Sequence, residues 1–328
     1  MDATGSRVGD PYVLRRIRDL AIPPAWRDVW ICPHPNGHLQ AVGVDEAGRK
    51  QYLYHPQWRA RRDQEKFDRM VEFARSLPAV RRLTGEHLTE KELSRERVLA
   101  CAVRLLDRGF FRIGGESYAE TNETYGLATM RREHVNLNGA ELVFEYIAKG
   151  GKDRLQSVVD PAVAEVVRVL KRRRSNPPEL LAFKSGRVWY DVKSADINLY
   201  LKEVSGGDYT AKDFRTWHGT VLAAVGLAVS VPAVTSLTGR KRAVARAVQE
   251  VSHYLGNTPA VCRASYIDPR VIDRYHAGVT IAGVLDDLGY VEAFGEPTLQ
   301  GPVEEAVLDL VEGVRSPVIE KVSVPRSA

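Results

Sequence analysis

A tyrosine in a setting that could support nucleophilic chemistry lies in LGNTPAVCRASYIDP, residues 255–269. Apolar side chains at helical spacing precede this segment and Gly256 is a typical helix stop, so Asn257 should lie just beyond a helix end. A short helical run over residues 260–265 could then bring the hydroxyl of Tyr266 close to the Asn257 amide, where both side chains would bind one small anion. A tyrosine that packs its ring and leaves its hydroxyl in water would also fit this segment.

Two arginines lie in segments with clear local patterns. Arg112, in RGFFRIGG, has apolar neighbours and is followed by two glycines, so a cation is held in apolar surroundings beside a flexible turn. Such a cation requires an anionic partner, for which a structural carboxylate would suffice. Arg215 lies in YTAKDFRTWHGT, where Thr210 and Asp213 have the spacing of a capping box and residues 221–229 continue as an apolar helix. Arg215 is therefore predicted in the first turns of a helix.

Two lysines occupy a glycine-rich loop. Residues 134–159 alternate in polarity, which predicts a three-stranded antiparallel meander whose second turn is AKGGKD. Lys149 and Lys152 both lie in that turn. A phosphate-binding P-loop needs GKS or GKT after a wider glycine frame, and this loop lacks it, so we expect no nucleotide site.

The first part of the chain has the pattern of a small β-rich unit. Three strand patterns between residues 28 and 54 are separated by turn signals, which predicts an antiparallel sheet. A linker is expected over residues 55–62, before an amphipathic helix. We therefore predict a β-rich N-terminal domain at 1–62 and a larger, mainly helical domain at 63–328.

The charge of the chain is unevenly distributed. The 328 residues carry a formal net charge of +5, but the acidic segment from Gly283 onward carries −6, so residues 1–282 carry +11. A body this basic favours a polyanionic partner, with nucleic acid first, although a solvated basic face would also account for it. The acidic segment is expected to contain a helix near residues 303–312 and to pack against the basic body.

The cysteines and the first residues do not have the patterns of a disulfide-rich, metal-binding or secreted protein. Cys32, Cys101 and Cys262 are too few for a disulfide framework and too scattered for a metal site. Cys262 lies near Tyr266, but its surroundings fit a small packed residue better than a second nucleophile. The first residues lack a secretory signal pattern, so we expect a cytoplasmic protein, associated with the nucleoid if nucleic acid is its partner.

Four segments resemble the type IB DNA topoisomerases of the compact bacterial and poxviral kind. They are GRKQYLYHP, FFRIGGESYAETNETYGLATMRREHV, KDFRTWHGT and LGNTPAVCRASY, and they fall between residues 48 and 269. The resemblance implies an α+β fold with a small β-rich N-terminal domain and a larger, mainly α-helical catalytic domain that contains a three-stranded antiparallel sheet. It implies double-stranded DNA as the partner and a monomer clamped around the duplex.

The resemblance also implies catalytic roles. Tyr266 attacks the DNA, and Arg112 and Arg215 bind the phosphate under attack. Lys149 at the hairpin tip is the general acid, with Lys152 as the alternative.

Asn257 stands where the poxviral members carry a histidine. An amide donates a hydrogen bond but transfers no proton, so this position is expected to stabilise charge. His218 is expected to be structural, because the family motif does not depend on it. The implied DNA contacts are Gln51, Tyr52, Tyr54 and Tyr118. Tyr52 and Tyr54 share one strand face, which could instead pack on the domain's own core.

The implied function is the relaxation of supercoiled DNA. A covalent 3′-phosphotyrosine forms, the duplex rotates, and the freed 5′ hydroxyl reseals the strand. The phosphotyrosine retains the energy of the ester, so no ATP is expected. No carboxylate cluster in the sequence suggests a metal requirement, and we expect no cofactor. A tyrosine recombinase shares this chemistry, but recombinases usually begin with a helical domain. A noncatalytic DNA-binding protein would use the basic body alone.

Overall fold

The computed structural model describes four ranges of the chain, residues 5–174, 177–233, 236–285 and 299–321. The chain divides into two compact units, Met1–Asp68 and Arg69–Ala328. The predicted domain boundary after residue 62 stays a prediction.

The N-terminal strand patterns form one antiparallel sheet. β1 (Arg27–Ile31), β2 (Leu39–Val44) and β3 (Lys50–Tyr54) lie in the order β1-β2-β3, after a helix α1 (Pro11–Asp19). The turn between β2 and β3 is held by Asp45, whose carboxylate accepts hydrogen bonds from the backbone N–H groups of Ala47 and Arg49. The predicted antiparallel arrangement is confirmed.

The next helix is longer than predicted. α2 runs from Pro56 to Leu88, so the linker expected over residues 55–62 is wrong. The backbone N–H of Gln57 donates to the imidazole Nδ1 of His55 (3.2 Å) at the start of the helix. A proline is well tolerated in a first turn because the N–H that it lacks would have no partner within the helix.

The second unit is mainly helical. After α2, its helices in chain order are α3 (Arg95–Gly109), α4 (Glu116–Asn122), α5 (Pro161–Arg172), α6 (Ser194–Ser205), α7 (Ala211–Ser230), α8 (Leu237–Leu255), α9 (Pro259–Ser265), α10 (Pro269–His276), α11 (Ala282–Leu285) and α12 (Pro302–Glu312). α7 lies at the centre and packs against α3, α6, α8, α10, α11 and α12. It contributes the fully buried side chains of Phe214 and Trp217 to the core. Any element anchored on α7 is therefore held by most of the unit.

The predicted meander is present beside these helices. β4 (Val135–Asn138), β5 (Glu141–Ala148) and β6 (Lys152–Val159) form an antiparallel sheet in the order β4-β5-β6. Two smaller pairs are β7 (Ala182–Ser185) with β8 (Val188–Asp191), and β9 (Val279–Thr280) with β10 (Glu320–Lys321). The predicted α+β fold, with a three-stranded antiparallel sheet in a mainly helical domain, is confirmed.

Part of the acidic C-terminal segment packs on the basic body, as expected. On α12, Glu304 forms an ion pair with Arg81 and Glu312 forms one with Arg75, each at 2.5 Å. Residues 286–298 and 322–328 of this segment lie outside the described residues. Within the ranges described, no helix combines the length and the apolar character needed to cross a membrane.

Candidate active site

Tyr266 is placed by two helix ends. α8 stops at Leu255, and Gly256 adopts a left-handed backbone conformation with φ of 64°, which glycine takes without strain. Thr258 then caps the N-terminus of α9 through a hydrogen bond from the Val261 N–H. Tyr266 directly follows the last residue of α9, as the helix stop at Gly256 and the short helical run predicted.

The central helix α7 fixes the backbone around Tyr266. A Cβ added to Gly219 would lie 2.5 Å from the Tyr266 carbonyl oxygen, so this close approach requires glycine. The Thr220 hydroxyl accepts a hydrogen bond from the Asp268 N–H at 3.1 Å. The nucleophile candidate is therefore held against the central helix α7.

Arg215 lies on the same helix and reaches two distant backbone carbonyls. Its guanidinium donates to the Phe110 oxygen (2.9 Å) and to the Leu255 oxygen (2.8 Å), and its Cζ lies 5.3 Å from the centre of the Tyr266 ring. Thr210 and Asp213 form the predicted capping box, in which the Asp213 carboxylate accepts from the Thr210 N–H and hydroxyl. Arg215 is almost completely buried.

Arg112 is held by a turn that needs its glycines. The Arg112 carbonyl accepts from the Leu127 N–H at 2.8 Å. Gly114 has φ of +85°, and a Cβ on Gly126 would collide with its backbone at 2.5 Å. The Arg112 guanidinium donates to the Gly256 carbonyl (3.1 Å) and to the Asn257 side-chain oxygen.

The amide of Asn257 has an unused donor. Its oxygen accepts from Arg112, which directs the amide nitrogen away from the guanidinium. That nitrogen is buried and has no hydrogen-bond partner among the residues that the structure describes. Buried donors without a partner are uncommon in folded proteins and often mark a position where a ligand binds.

The two arginines lack the structural carboxylate that the sequence left open. Throughout the part of the chain that the structure describes, no carboxylate lies within ion-pair distance of Arg112 or Arg215, and their partners are carbonyl and amide oxygens. Burial and repulsion from Arg112 lower the pKa of Arg215 to about 10. Burial acts to raise the pKa of Tyr266, but Arg215, Arg112 and Lys212 outweigh it and hold that pKa below its ordinary value. The site has an excess of positive charge and stabilises a phenolate.

These side chains share a pocket of about 280 Å³. Arg112, Lys149, Arg215 and Tyr266 line it together with Tyr118 on α4, and the Lys149 Nζ lies 5.6 Å from the centre of the Tyr118 ring. Asn257 joins the group through Arg112.

Lys149 and Lys152 differ in position. Lys149 begins the three-residue turn between β5 and β6, whereas Lys152 is the first residue of β6. Lys149 lines the pocket that contains Tyr266, and both lysines line a smaller neighbouring pocket. Their geometry favours Lys149 for contact with a group bound at Tyr266.

Lys212 was missed by the sequence reasoning. It lines the pocket and contributes to the lowered pKa of Tyr266. It lies three residues before Arg215 on α7, so the two side chains share a helix face. That spacing was the available signal.

His218 and Cys262 occupy core positions. The His218 ring packs against Phe110, with centroids 5.1 Å apart, and its Nε2 lies 3.9 Å from the Asp107 carboxylate. Cys262 is fully buried, and burial raises the pKa of its thiol.

In the N-terminal unit, the predicted DNA contacts lie on β3. The Gln51 side chain donates to the Asp45 carboxylate (2.8 Å). Tyr52 and Tyr54 are exposed and stack on each other, with ring centroids 6.2 Å apart. Tyr54 also stacks on Trp58 at 4.5 Å, so an aromatic row, Tyr52-Tyr54-Trp58, lies on the surface of this unit. Trp58 was not predicted, because it lies on α2 and meets the strand face only in the folded unit.

Comparisons with known proteins identify the family of the chain. The family model of the eukaryotic DNA topoisomerase I catalytic core matches residues 55–280, and that of the bacterial DNA topoisomerase IB N-terminal domain matches residues 1–45. DNA topoisomerase 1B of Acanthamoeba polyphaga mimivirus is 26% identical over 269 residues, 80% of each chain. DNA topoisomerase I of Monkeypox virus is 22% identical over 237 residues, 71% of each chain.

These matches define the chain as a DNA topoisomerase of the kind that carries an N-terminal domain before its catalytic core. Because the core model alone matches more than half of its residues, the chain belongs to the type IB DNA topoisomerase family. The resemblance of the four segments and the predicted enzyme class, an isomerase, are confirmed.

Proposed function

We propose that this chain relaxes supercoiled duplex DNA through a covalent intermediate on Tyr266. The observation that carries the proposal is the pocket in which Tyr266 meets two arginines without carboxylate partners and Lys149. Four segments distant in sequence contribute these groups. An excess of positive charge beside a phenol with a lowered pKa suits an attack on a phosphodiester.

The cleavage step conserves the number of ester bonds. The Tyr266 oxygen forms a bond to the phosphorus while the bond from phosphorus to the 5′ oxygen breaks. The phenolic proton is lost to solvent, and Lys149 donates a proton to the departing 5′ oxygen. Resealing is the reverse, with the 5′ hydroxyl as the nucleophile. The duplex rotates between the two steps and releases supercoils without ATP.

Arg112, Arg215 and Asn257 stabilise the charge that develops on the nonbridging oxygens. A guanidinium gives planar paired hydrogen bonds that an ammonium group does not reproduce. The bonds of Arg112 and Arg215 to backbone carbonyls orient them without neutralising them. The unpartnered Asn257 amide nitrogen supplies a further donor.

The N-terminal unit would contact the same duplex. The surface row of Tyr52, Tyr54 and Trp58, in which the two tyrosines are exposed, can lie against sugars and base edges. Arg62 lies 5.7 Å from the centre of the Trp58 ring, where it can reach a phosphate. Gln51 and Tyr118 are the other proposed contacts. The protein would act as a monomer that clamps the duplex. Because its substrate is DNA, it would act in the cytoplasm at the nucleoid.

The test combines plasmid relaxation with detection of the covalent adduct. Wild-type protein should relax supercoiled plasmid with EDTA and without ATP, and should give a protein-linked band with end-labelled duplex on a denaturing gel. Tyr266→Phe should lose both activities and still bind DNA. The matched control is Tyr190→Phe, an exposed tyrosine on β8, which should retain both. An adduct that persists in Tyr266→Phe would contradict the proposal.

A further inference from the structure

Three arginines hold the C-terminal end of α8. Arg215 and Arg112 take the carbonyls of Leu255 and Gly256, as described above. Arg154 on β6 donates to the two carbonyls directly before these, those of His253 (3.0 Å) and Tyr254 (2.6 Å). Carbonyls at a helix C-terminus carry partial negative charge and lack partners within the helix, so a guanidinium is well suited to them.

Arg154 also belongs to the hairpin that carries Lys149. In the β5–β6 ladder Arg154 pairs with Tyr146, and the last pair before the turn is Ala148 with Lys152. Lys149 follows Ala148 directly. Arg154, which bonds to α8, therefore lies two residues, about 7 Å along the strand, from the end of the ladder.

The tip itself has little to hold it. Gly150 and Gly151 have φ of 83° and 68°, and a Cβ on either would meet no atom within 4 Å. Lys149 is exposed and contacts the Tyr118 ring. The position of its ammonium group must therefore be set by the stem of the hairpin.

The stem is tied to two of the three segments that carry the proposed phosphate-binding groups, those of Arg112 and Asn257. Gln156, on the same face of β6 as Arg154, donates to the Gly109 carbonyl, three residues before Arg112. Arg154 makes the corresponding tie to α8, which leads directly into Asn257. Of these two ties, that of Arg154 is nearer to the tip.

We propose that Arg154 is a positioning residue for Lys149, which sets the register of the general-acid hairpin against the end of α8. The inference rests on the proposed function, in which Lys149 protonates the leaving oxygen. Arg154 lines the smaller neighbouring pocket rather than the pocket that contains Tyr266. It acts by holding the hairpin where the Lys149 proton reaches the 5′ oxygen, and its fork serves two successive carbonyls, which lysine does not reproduce.

The experiment changes the leaving group. A cleavage site is first mapped with wild-type protein, and a second duplex is made with sulfur in place of the bridging 5′ oxygen at that site. When the phosphorus–sulfur bond breaks, the electron pair leaves on a thiolate. This leaving group needs no proton, because the pKa of a thiol is only ~8.5. Single-turnover cleavage of both duplexes is measured for Lys149→Ala, Lys152→Ala, Arg154→Ala and Arg154→Lys.

The expected pattern follows from the role of the acid. Lys149→Ala should slow cleavage of the oxygen substrate by roughly 10²–10⁴-fold and regain most of the rate with sulfur. Arg154→Ala should slow cleavage of the oxygen substrate by roughly 10–10²-fold. With the sulfur substrate, its cleavage rate should be within about threefold of the wild-type rate. The cleavage rate of Arg154→Lys on the oxygen substrate should lie between the rates of Arg154→Ala and the wild type.

The control is Arg168→Ala. Arg168 donates to the Gly139 carbonyl (3.0 Å) in the turn between β4 and β5, at the other end of the sheet. It makes the same kind of bond and should change neither rate by more than about twofold.

Two results would overturn the inference in different ways. If Arg154→Ala or Arg154→Lys slows both substrates equally while Lys149→Ala is restored by sulfur, Arg154 does not act through the acid, although the proposed function stands. If Lys149→Ala is not restored by sulfur, the assignment of the acid fails, and the role of Arg154 fails with it.

Discussion

Two regions of the second unit place arginines in opposite electrostatic surroundings. Arg81 on α2 donates two hydrogen bonds to Asp107, each at 2.9 Å, and two to Glu304. Burial acts to lower the pKa of Arg81, but the two carboxylates outweigh it and raise that pKa. In the active site, Arg112 and Arg215 meet oxygens without formal charge, and the pKa of Arg215 falls to about 10.

The difference predicts which of these arginines contribute to stability and which to function. The cluster of Arg81, Asp107 and Glu304 is electrically compensated, and Glu304 also accepts from the buried Trp217 indole at 2.7 Å. It joins α2, α3, α7 and α12. In the proposed active site, the described residues place no carboxylate against Arg112 or Arg215, which would leave their charge for a phosphate. Loss of a charge should therefore reduce stability in the first region and catalysis in the second.

The largest effect should come from Arg215→Lys. We expect single-turnover cleavage to fall roughly 10³-fold, the scale of an arginine that stabilises phosphoryl transfer. The free energy of unfolding should change by less than about 2 kcal/mol, because no carboxylate is left unpaired. A cleavage rate within tenfold of wild type would show that Arg215 is structural, like Arg81.

Arg81→Ala should give the opposite result. Removing one partner leaves buried carboxylates without their counter-ion, at a cost of about 3–5 kcal/mol in unfolding free energy. Cleavage per folded molecule should stay within about threefold of wild type. Chemical denaturation together with active-site titration measures both quantities, and a large loss of activity without a loss of stability would contradict the comparison.

The cost of Arg81→Ala should depend on pH. In the wild type, burial raises the pKa of Asp107, but His218 and Arg81 outweigh it and hold that pKa below its ordinary value. The stabilisation by Asp107 is thus present above its unfolded pKa of ~3.9 and is lost only in stronger acid. Without Arg81, burial should raise that pKa and penalise the folded state as pH rises. The gap in unfolding free energy should be wider at pH 7.5 than at pH 4.5, and a constant gap would contradict this account.

Asn257 tests the neutral donor of the site. Asn257→Ala removes the unpartnered amide nitrogen and should slow cleavage roughly 10²-fold, the scale of one oxyanion donor. Asn257→His restores a donor and should retain cleavage. Equal rates for wild type and Asn257→Ala in a single-turnover assay would refute this role.

The smallest expected effect is that of Lys212→Ala. Lys212 helps to lower the pKa of Tyr266, so its removal should raise that pKa and move the rise of the cleavage rate to higher pH. At neutral pH the loss should be roughly twofold to fivefold, the scale of one exposed charge, and should shrink as pH increases. Lys184→Ala, an exposed lysine on β7, is the control. An equal loss at every pH would show that Lys212 acts in another way.

The parts predicted from sequence depend on local signals. Short patterns predict the stop of α8 at Gly256, the capping box at Thr210 and the three strands of the meander. All of these features are present in the structure. The predicted linker over residues 55–62 failed because α2 begins at Pro56, and a proline is accommodated in the first turn of a helix.

The remaining features depend on tertiary contacts. Glu304 meets Arg81 across 223 positions of sequence, and Arg154 meets Tyr254 across 100. No local pattern identifies such partners. The sequence could therefore indicate Arg112 as a cation in need of a partner, but not that it would lack a carboxylate.

The central claim is that uncompensated arginines stabilise the phenolate of Tyr266. The most direct measurement is an NMR titration of protein labelled with ¹³C at tyrosine Cζ, with the Tyr266 signal assigned by its absence in Tyr266→Phe. The account predicts a pKa below the ordinary value of ~10, which rises in Arg215→Gln. A Tyr266 pKa at or above ~10 in the wild type, unchanged by Arg215→Gln, would contradict it.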